Sequence, residues 1–246
     1  TYGRTRVAPG GQAANVAAWV AALGGRSRFL GKRARDAAGR VLVEELRRRR
    51  VEVAGPEVEA GTGTVVSLAD AAGGRTMLTD RGVAPDLRPD ELDPGWLDGV
   101  TTLHVPAYSL VRAPVRDAAL AAAETARAAG ARISIDLSAT SAIAEFGVER
   151  FRELLARLAP EVVFANEAEA ALLGGLDAPT AVVKRGARGC VVSTPAGRRE
   201  LSAEPADVVD TTGAGDAFAA GFLLAGPALA LRAAARCVAT MGAFPP

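Results

Sequence analysis

The chain has 246 residues, 49% of them hydrophobic, which is enough for one large α/β domain with a full core and a small appendage. A formal net charge of +1 gives no pull toward nucleic acid or an acidic membrane surface. Two cysteines make no disulfide framework and suit a reducing cytoplasm, and no apolar run reaches about 18 residues, so neither a secreted scaffold nor a membrane span is expected.

In chain order, "GGQAANVAAWVAALGG" (10–25) reads as a glycine turn feeding a helix, with Val16, Trp19, Val20 and Leu23 at helical spacing. Residues 27–32 form a short strand candidate. Residues 36–50 read as a helix, with Asp36 at its start and arginines at its end, where the dipole favours cations. Two β-rich runs, 64–69 and 75–79, flank "DAAGG", a hairpin turn signal. From there strands and helices alternate. Strands are expected at 101–107, 131–138, 161–166, 181–186 and 189–194, and helices at 115–129, 148–158, 167–173, 213–225 and 228–242. That alternation implies a mostly parallel sheet covered on both faces. The early hairpin is expected to be a β flap over one edge.

Several chemistries lack their signatures. "GRSRFLGKR" (25–33) has five residues between its glycines, and Arg33 stands where a phosphate loop needs Ser or Thr. No GxGxxG follows a strand, and no Cys/His spacing suits zinc. The one histidine, His104, sits in an apolar strand and reads as a core or strand-end residue. A serine-hydrolase triad does not fit one histidine without GxSxG. Arg47–Arg50 reads as a solvated helix end. Aromatics make up only 4%, which argues against a substrate held by stacked flat rings.

"DTTGAGDAF" (210–218) is different. Gly213 and Gly215 let the backbone turn tightly and bring N–H groups close to a ligand. A helix starts there, so unpaired N–H groups and a positive dipole end make an anion hole. The bland alternative is a glycine-rich start of a buried helix, with Asp216 as a first-turn acid. Asp216 is expected to keep a low pKa at that helix end.

This stretch resembles the C-terminal signature of the ribokinase-like (PfkB) carbohydrate kinases, which phosphorylate a sugar or nucleoside hydroxyl with ATP. "GGQAANVAAWVAALG" resembles the N-terminal signature, "FLGKRARDAAG" the stretch after it, and "TDRGVA" the return from the flap. "ANEAEAALL" matches an Asn-x-x-Glu motif at Asn166 and Glu169, and "VVKRGARGC" resembles the turn before the ATP site. The matches run in order from about residue 7 to the end. The resemblance implies a three-layer α/β/α sandwich, with a mostly parallel sheet and a small β lid. The large domain would comprise 10–57 and 83–246, and the lid 1–9 and 58–82. It implies ATP as phosphoryl donor, Mg2+ as cofactor, a small-molecule sugar as partner, and a homodimer through the lid.

Roles follow position by position. Asp216 matches the catalytic base, and Gly213, Ala214 and Gly215 match the anion hole. Gly10, Gly11 and Asn15 resemble the sugar-hydroxyl contacts. Lys184, Gly186, Gly189 and Thr212 fall where the family lines the nucleotide pocket. Asn166 and Glu169 resemble the pair that organises magnesium through water, although the same spacing is also a capping box. Asp210, with Thr212, resembles a position that holds K+ in some members. A nucleoside kinase of the same family and a non-catalytic nucleotide- or sugar-binding regulator are the alternatives. A nucleoside kinase would want lid aromatics, and Tyr2 is the one visible.

Family members usually carry an N-terminal strand ending in a substrate-gripping Asp, and nothing before Thr1 supplies one. The near-absence of a loop in "LLAGPALALRAA" (223–234) and the short connection from 166 to 181 add to the expectation that a leader and internal loops are missing from this chain. An intact mass matching 25.1 kDa would sink that expectation.

Overall fold

The structure is a computed structural model that describes residues 6–69 and 75–246. The "DAAGG" turn (70–74) and Tyr2 lie outside the described residues. Helix α1 (Gln12–Ala22) is followed by strands β1 (Arg28–Leu30) and β2 (Arg33–Ala34) and helix α2 (Ala37–Arg48). Strands β3 (Glu52–Ala54) and β4 (Glu57–Val58) precede the long β5 (Thr62–Ala69) and β6 (Arg75–Gly82). Then come β7 (Thr102–Pro106), α3 (Val115–Ala128), β8 (Arg132–Asp136), α4 (Thr140–Phe146), α5 (Val148–Leu158), β9 (Val162–Asn166) and α6 (Glu167–Leu172). The chain closes with β10 (Thr180–Lys184), β11 (Cys190–Thr194), β12 (Gly197–Leu201), α7 (Ala214–Ala225) and α8 (Pro227–Val238).

A six-stranded sheet, ordered β12-β11-β10-β9-β8-β7, forms the centre. Strands β7 to β10 are parallel, and β11 and β12 run antiparallel at one edge. The parallel strands read as apolar runs because helices cover both faces. On one face Ile133, Ile135, Val163 and Ala165 pack with Leu120, Ala123, Ile143 and Phe151 from α3, α4 and α5. On the other, Phe164, Val182 and Cys190 pack with Trp19 of α1, Phe218 of α7 and Leu231 of α8. This is the expected three-layer sandwich.

Small residues set the second layer. A Cβ on Gly221 would lie 2.8 Å from the backbone of Ala230, so α7 and α8 meet nearly backbone to backbone. Gly226 alone turns the chain between them, at φ 79°. In the structure the short connection at 223–234 is a tight glycine joint.

Strands β5 and β6 pair antiparallel from Thr62↔Gly82 to Ala69↔Arg75. Asp36 anchors their base. It caps α2 through Gly39 N–H and accepts from both the backbone N–H and the hydroxyl of Thr62, at 2.6–2.8 Å. These bonds, led by the Thr62 hydroxyl, pull the carboxyl down to about 2. The short strands β2, β3 and β4 were not anticipated, nor was α4. Strand β12, "GRREL", was hidden by its charge and exposure, which befit an edge strand. Among the described residues, no helix is long and apolar enough to cross a membrane.

Candidate active site

Two helix starts face each other at one end of the sheet. At α7, Gly213 is the N-cap and adopts φ 81°, and a Cβ there would sit 2.6 Å from Ala243 Cα. Only glycine meets both demands. Ala214, Gly215 and Asp216 form the first turn, whose N–H groups have no partner within the helix. At α1, Gly11 is the N-cap at φ 101°, with Gly10 exposed beside it.

Asn15, only 6% exposed, joins the two helices: its Nδ2 donates to Asp216 Oδ2 at 2.6 Å. The sequence reading gave Asn15 to a sugar, yet here its amide nitrogen holds the acid. Its Oδ1 is buried without a hydrogen-bond partner, as are both amide atoms of Gln12 one turn earlier. Among the described residues these are polar groups poised for an incoming ligand. Gln12 went unnoticed in the sequence because it falls between the motif positions.

Asp216 contradicts one expectation. Its carboxyl is raised to about 7 by burial, with Asp136 adding repulsion, against the lowering pull of Asn15 and Lys184. A helix N-terminus favours the carboxylate, but desolvation outweighs it here. An acid near 7 can accept a proton at neutral pH, which the expected low value would have made harder.

Lys184 ends β10 and reaches across β9 to Asp136, the last residue of β8. Its Nζ donates to Asp136 Oδ1 and Oδ2 at 2.9 and 2.7 Å. A Cβ on Gly215 would lie 3.2 Å from that Nζ, so the ammonium flanks the glycine turn. Asp136 is 0% exposed and also accepts from Ser138 Oγ at 2.6 Å. Sequence reasoning missed Asp136 and Ser138. The signal was a charged residue closing an apolar parallel strand, at the strand end where such sheets bind ligands.

Asn166 and Glu169 form a full capping box at α6. Asn166 N–H and Nδ2 donate to the two Glu169 oxygens at 2.8 Å each, and Glu169 N–H donates back to Asn166 Oδ1 at 2.9 Å. Glu169 is 2% exposed, and burial raises its carboxyl above the usual range. The backbone of Ser138 lies close enough to pull that carboxyl slightly back down, which places this pair beside Asp136. Asp210 Oδ1 and Oδ2 accept from the backbones of Thr212 and Gly242, both at 2.9 Å, and so tie the loop before α7 to the C-terminal loop.

The turn after Lys184 divides in two. Gly186 is open, with no neighbour near its would-be Cβ. Gly189 packs against β12, where a Cβ would lie 2.0 Å from Leu201 O, so its glycine is explained by the sheet edge. His104 is a partly buried strand residue, in line with the core or strand-end reading. Its Nδ1 meets Ser134 Oγ at 2.9 Å, and burial pushes its pKa down to about 4. Arg48 and Arg49 pair with Glu45 at the end of α2, as a helix end would. Lys32 binds Glu91.

Among the described residues, no group of three or more His, Cys, Asp or Glu could hold a metal ion by itself. Three carboxylates, Asp136, Glu169 and Asp216, nevertheless share the site with one ammonium, Lys184. The charge balance suits a cation that arrives on an anionic ligand and needs only one or two carboxylates, the way magnesium binds with phosphates.

The family described as pfkB family carbohydrate kinase matches residues 2–244. A probable fructokinase-4 of Arabidopsis thaliana is 32% identical over 88% of this chain and 72% of its own length. The crystal structure of an adenosine kinase from Sinorhizobium meliloti is similar with a TM-score of 0.90 and 29% identity, over 99% of this chain and 81% of that one. A fructokinase from Vibrio cholerae O395, solved in its fructose-, ADP- and calcium-bound form, is similar with a TM-score of 0.79 and 25% identity, over 96% and 86%.

Proposed function

The chain belongs to the pfkB family of carbohydrate kinases and is an ATP-dependent sugar kinase, and from that premise we propose that it phosphorylates a free sugar with Asp216 as the base. The observation that carries the reading is Asp216 itself: a carboxylate near neutrality, held by Asn15 at the foot of a glycine-built anion hole. Fructose is the first candidate sugar, since similar proteins are fructokinases.

In this reading Asp216 takes the proton from a sugar hydroxyl as that oxygen bonds the γ-phosphorus and the bond to the ADP oxygen breaks. Phosphoryl transfer needs positioning and charge stabilisation more than covalent help. The N–H groups of Gly213, Ala214 and Gly215 and the positive end of α7 receive the charge on the moving phosphoryl group. Lys184 supplies a cation beside them, and Gly186 leaves room for nucleotide. Gly189 shapes the sheet edge behind that turn, and Thr212 holds the loop that leads into α7. Gly10, Gly11, Gln12 and the Asn15 carbonyl oxygen meet the sugar hydroxyls, to which an amide offers both donors and acceptors. Asn166 and Glu169 would hold Mg2+ through water, and that ion would draw charge from the phosphates. K+ is assigned to the Asp210 loop.

The hairpin β5–β6 is read as a lid that excludes water from the reacting phosphate. With residues 1–9 and 58–82 it makes the small unit, and 10–57 with 83–246 the large one. Val66 and Leu78, register partners on one face, are 53% and 61% exposed, with Leu68 beside them. A two-stranded hairpin is marginal without cover, so a homodimer through paired lids goes with this reading. A cytoplasmic location does too, since Cys190 and Cys237 are free and buried.

A nucleoside is the second reading, favoured by the likeness to the Sinorhizobium meliloti adenosine kinase. An ADP-release screen over ribose, fructose, other free sugars and nucleosides decides. Fructose turnover far above that of adenosine is the expected result. Turnover of nucleosides alone would replace the sugar reading.

A further inference from the structure

The buried pair Asp136–Lys184 has a role that the anion hole alone does not explain. Asp136 is 0% exposed, and a buried carboxylate persists only when paired and hydrogen-bonded. Lys184 meets it with both oxygens in reach, and Ser138 Oγ adds a third bond. A long, flexible lysine is thereby fixed in one place, with its Nζ against Gly215. A flexible ammonium loses side-chain entropy when it binds a ligand, and pre-fixing removes that cost.

We propose that Asp136 is a positioning residue for phosphoryl transfer, holding the Lys184 ammonium beside Gly215 so that the anion hole has a fixed positive charge before nucleotide arrives. This rests on the reading above that Lys184 meets the phosphates. Ser138 belongs to the same device. It donates its hydroxyl to Asp136 and keeps its backbone beside Glu169, so Lys184 and the Asn166–Glu169 pair lie on either side of it.

The pair also bears on Asp216. The groups that face Asp216 are Asn15 from α1, Asp136 from β8, Lys184 from β10 and Cys237 from α8. Asp136 repels the Asp216 carboxylate and Lys184 attracts it. Loss of the Asp136 charge therefore moves the acid limb of the pH–rate profile to lower pH, and loss of the Lys184 charge moves it higher. That shift follows from the charges themselves and tests where the pair sits, while KM for ATP separates a positioning role from a merely structural one, which would leave it unchanged.

The test compares Asp136→Asn, Lys184→Met and the double variant, each as the full chain. Asp136→Asn is expected to raise KM for ATP by roughly tenfold, with KM for the sugar within about twofold of wild type. Its acid limb shifts down. The double variant is expected to be no worse than Lys184→Met, because Asp136 acts through Lys184. If Asp136→Asn does not fold, or Lys184→Met does not fold because it strands the Asp136 carboxylate, the double variant still decides, since it leaves no buried charge of the pair unmatched and a wild-type KM for ATP in it overturns the proposal. A double variant clearly worse than Lys184→Met overturns the proposal. So does a folded Asp136→Asn with wild-type KM for ATP and an unmoved acid limb. A Lys184→Met enzyme with wild-type KM for ATP removes Lys184 from the phosphate site, a failure of the earlier reading that takes this proposal with it.

Discussion

Asp216 shows how far a single residue can be read from its neighbours in sequence. "GAGD" marks a carboxylate in the first turn of a helix, and a dipole argument gives it a low pKa. Two features invisible in the sequence reverse that: burial under α1 and the nearby Asp136 charge. With an Asp216 pKa of about 7, kcat/KM is expected to fall as pH drops through about 7, because the base must be ionised to accept a proton. A pH–rate profile flat from 6 to 8 would contradict this. Stability carries the opposite trend. The folded value lies above the unfolded one, so the native state binds more protons between about 4 and 7. That contribution is complete below the unfolded value and is lost as pH rises through about 7. Asp216→Asn should therefore raise Tm at pH 8, by about 2–4 °C for each kcal/mol relieved, and the gain should shrink toward pH 4. Thermal melts at several pH values check the sign. Gln12 and Asp136 were missed for other reasons. Gln12 stands inside the first signature but between its matched positions, and Asp136 carries only the weaker signal of a charge at the end of an apolar strand.

Among the elements, the long periodic helices and the buried strands were legible, because apolar spacing and caps agree. Residues 148–158 are helical as expected, and Asp36 caps its helix as its position implied. Strand β12 was not legible, since charge conceals an edge strand whose pairing partner is unknown. At the α7–α8 joint the sequence shows a short connection but not how closely two helices approach. Gly221 makes that approach checkable. Gly221→Ala would gain about 0.5–1 kcal/mol of helix propensity, but its Cβ overlaps the Ala230 backbone, and overpacking costs about 1–3 kcal/mol. The clash is against backbone, so the second effect wins. A lower Tm is expected, by several degrees, and an unchanged or raised Tm would show that the helices part freely.

For the whole molecule, the order of motifs along the chain gave the architecture, since strand–helix alternation admits few topologies. Association of chains was legible only as an expectation. The exposed Val66–Leu78 pair gives it a test: Val66→Glu with Leu78→Glu should convert a dimer to a monomer in sedimentation, at unchanged monomer fold. The site itself is a property of the whole chain, because Asn15 and Asp216 are 201 positions apart and meet only in the finished fold. The most direct test of the account is therefore Asp216→Asn, measured for turnover and for ATP binding together. The account predicts a loss of about 10²–10⁴ in kcat with ATP affinity retained. Wild-type turnover by this variant would contradict it.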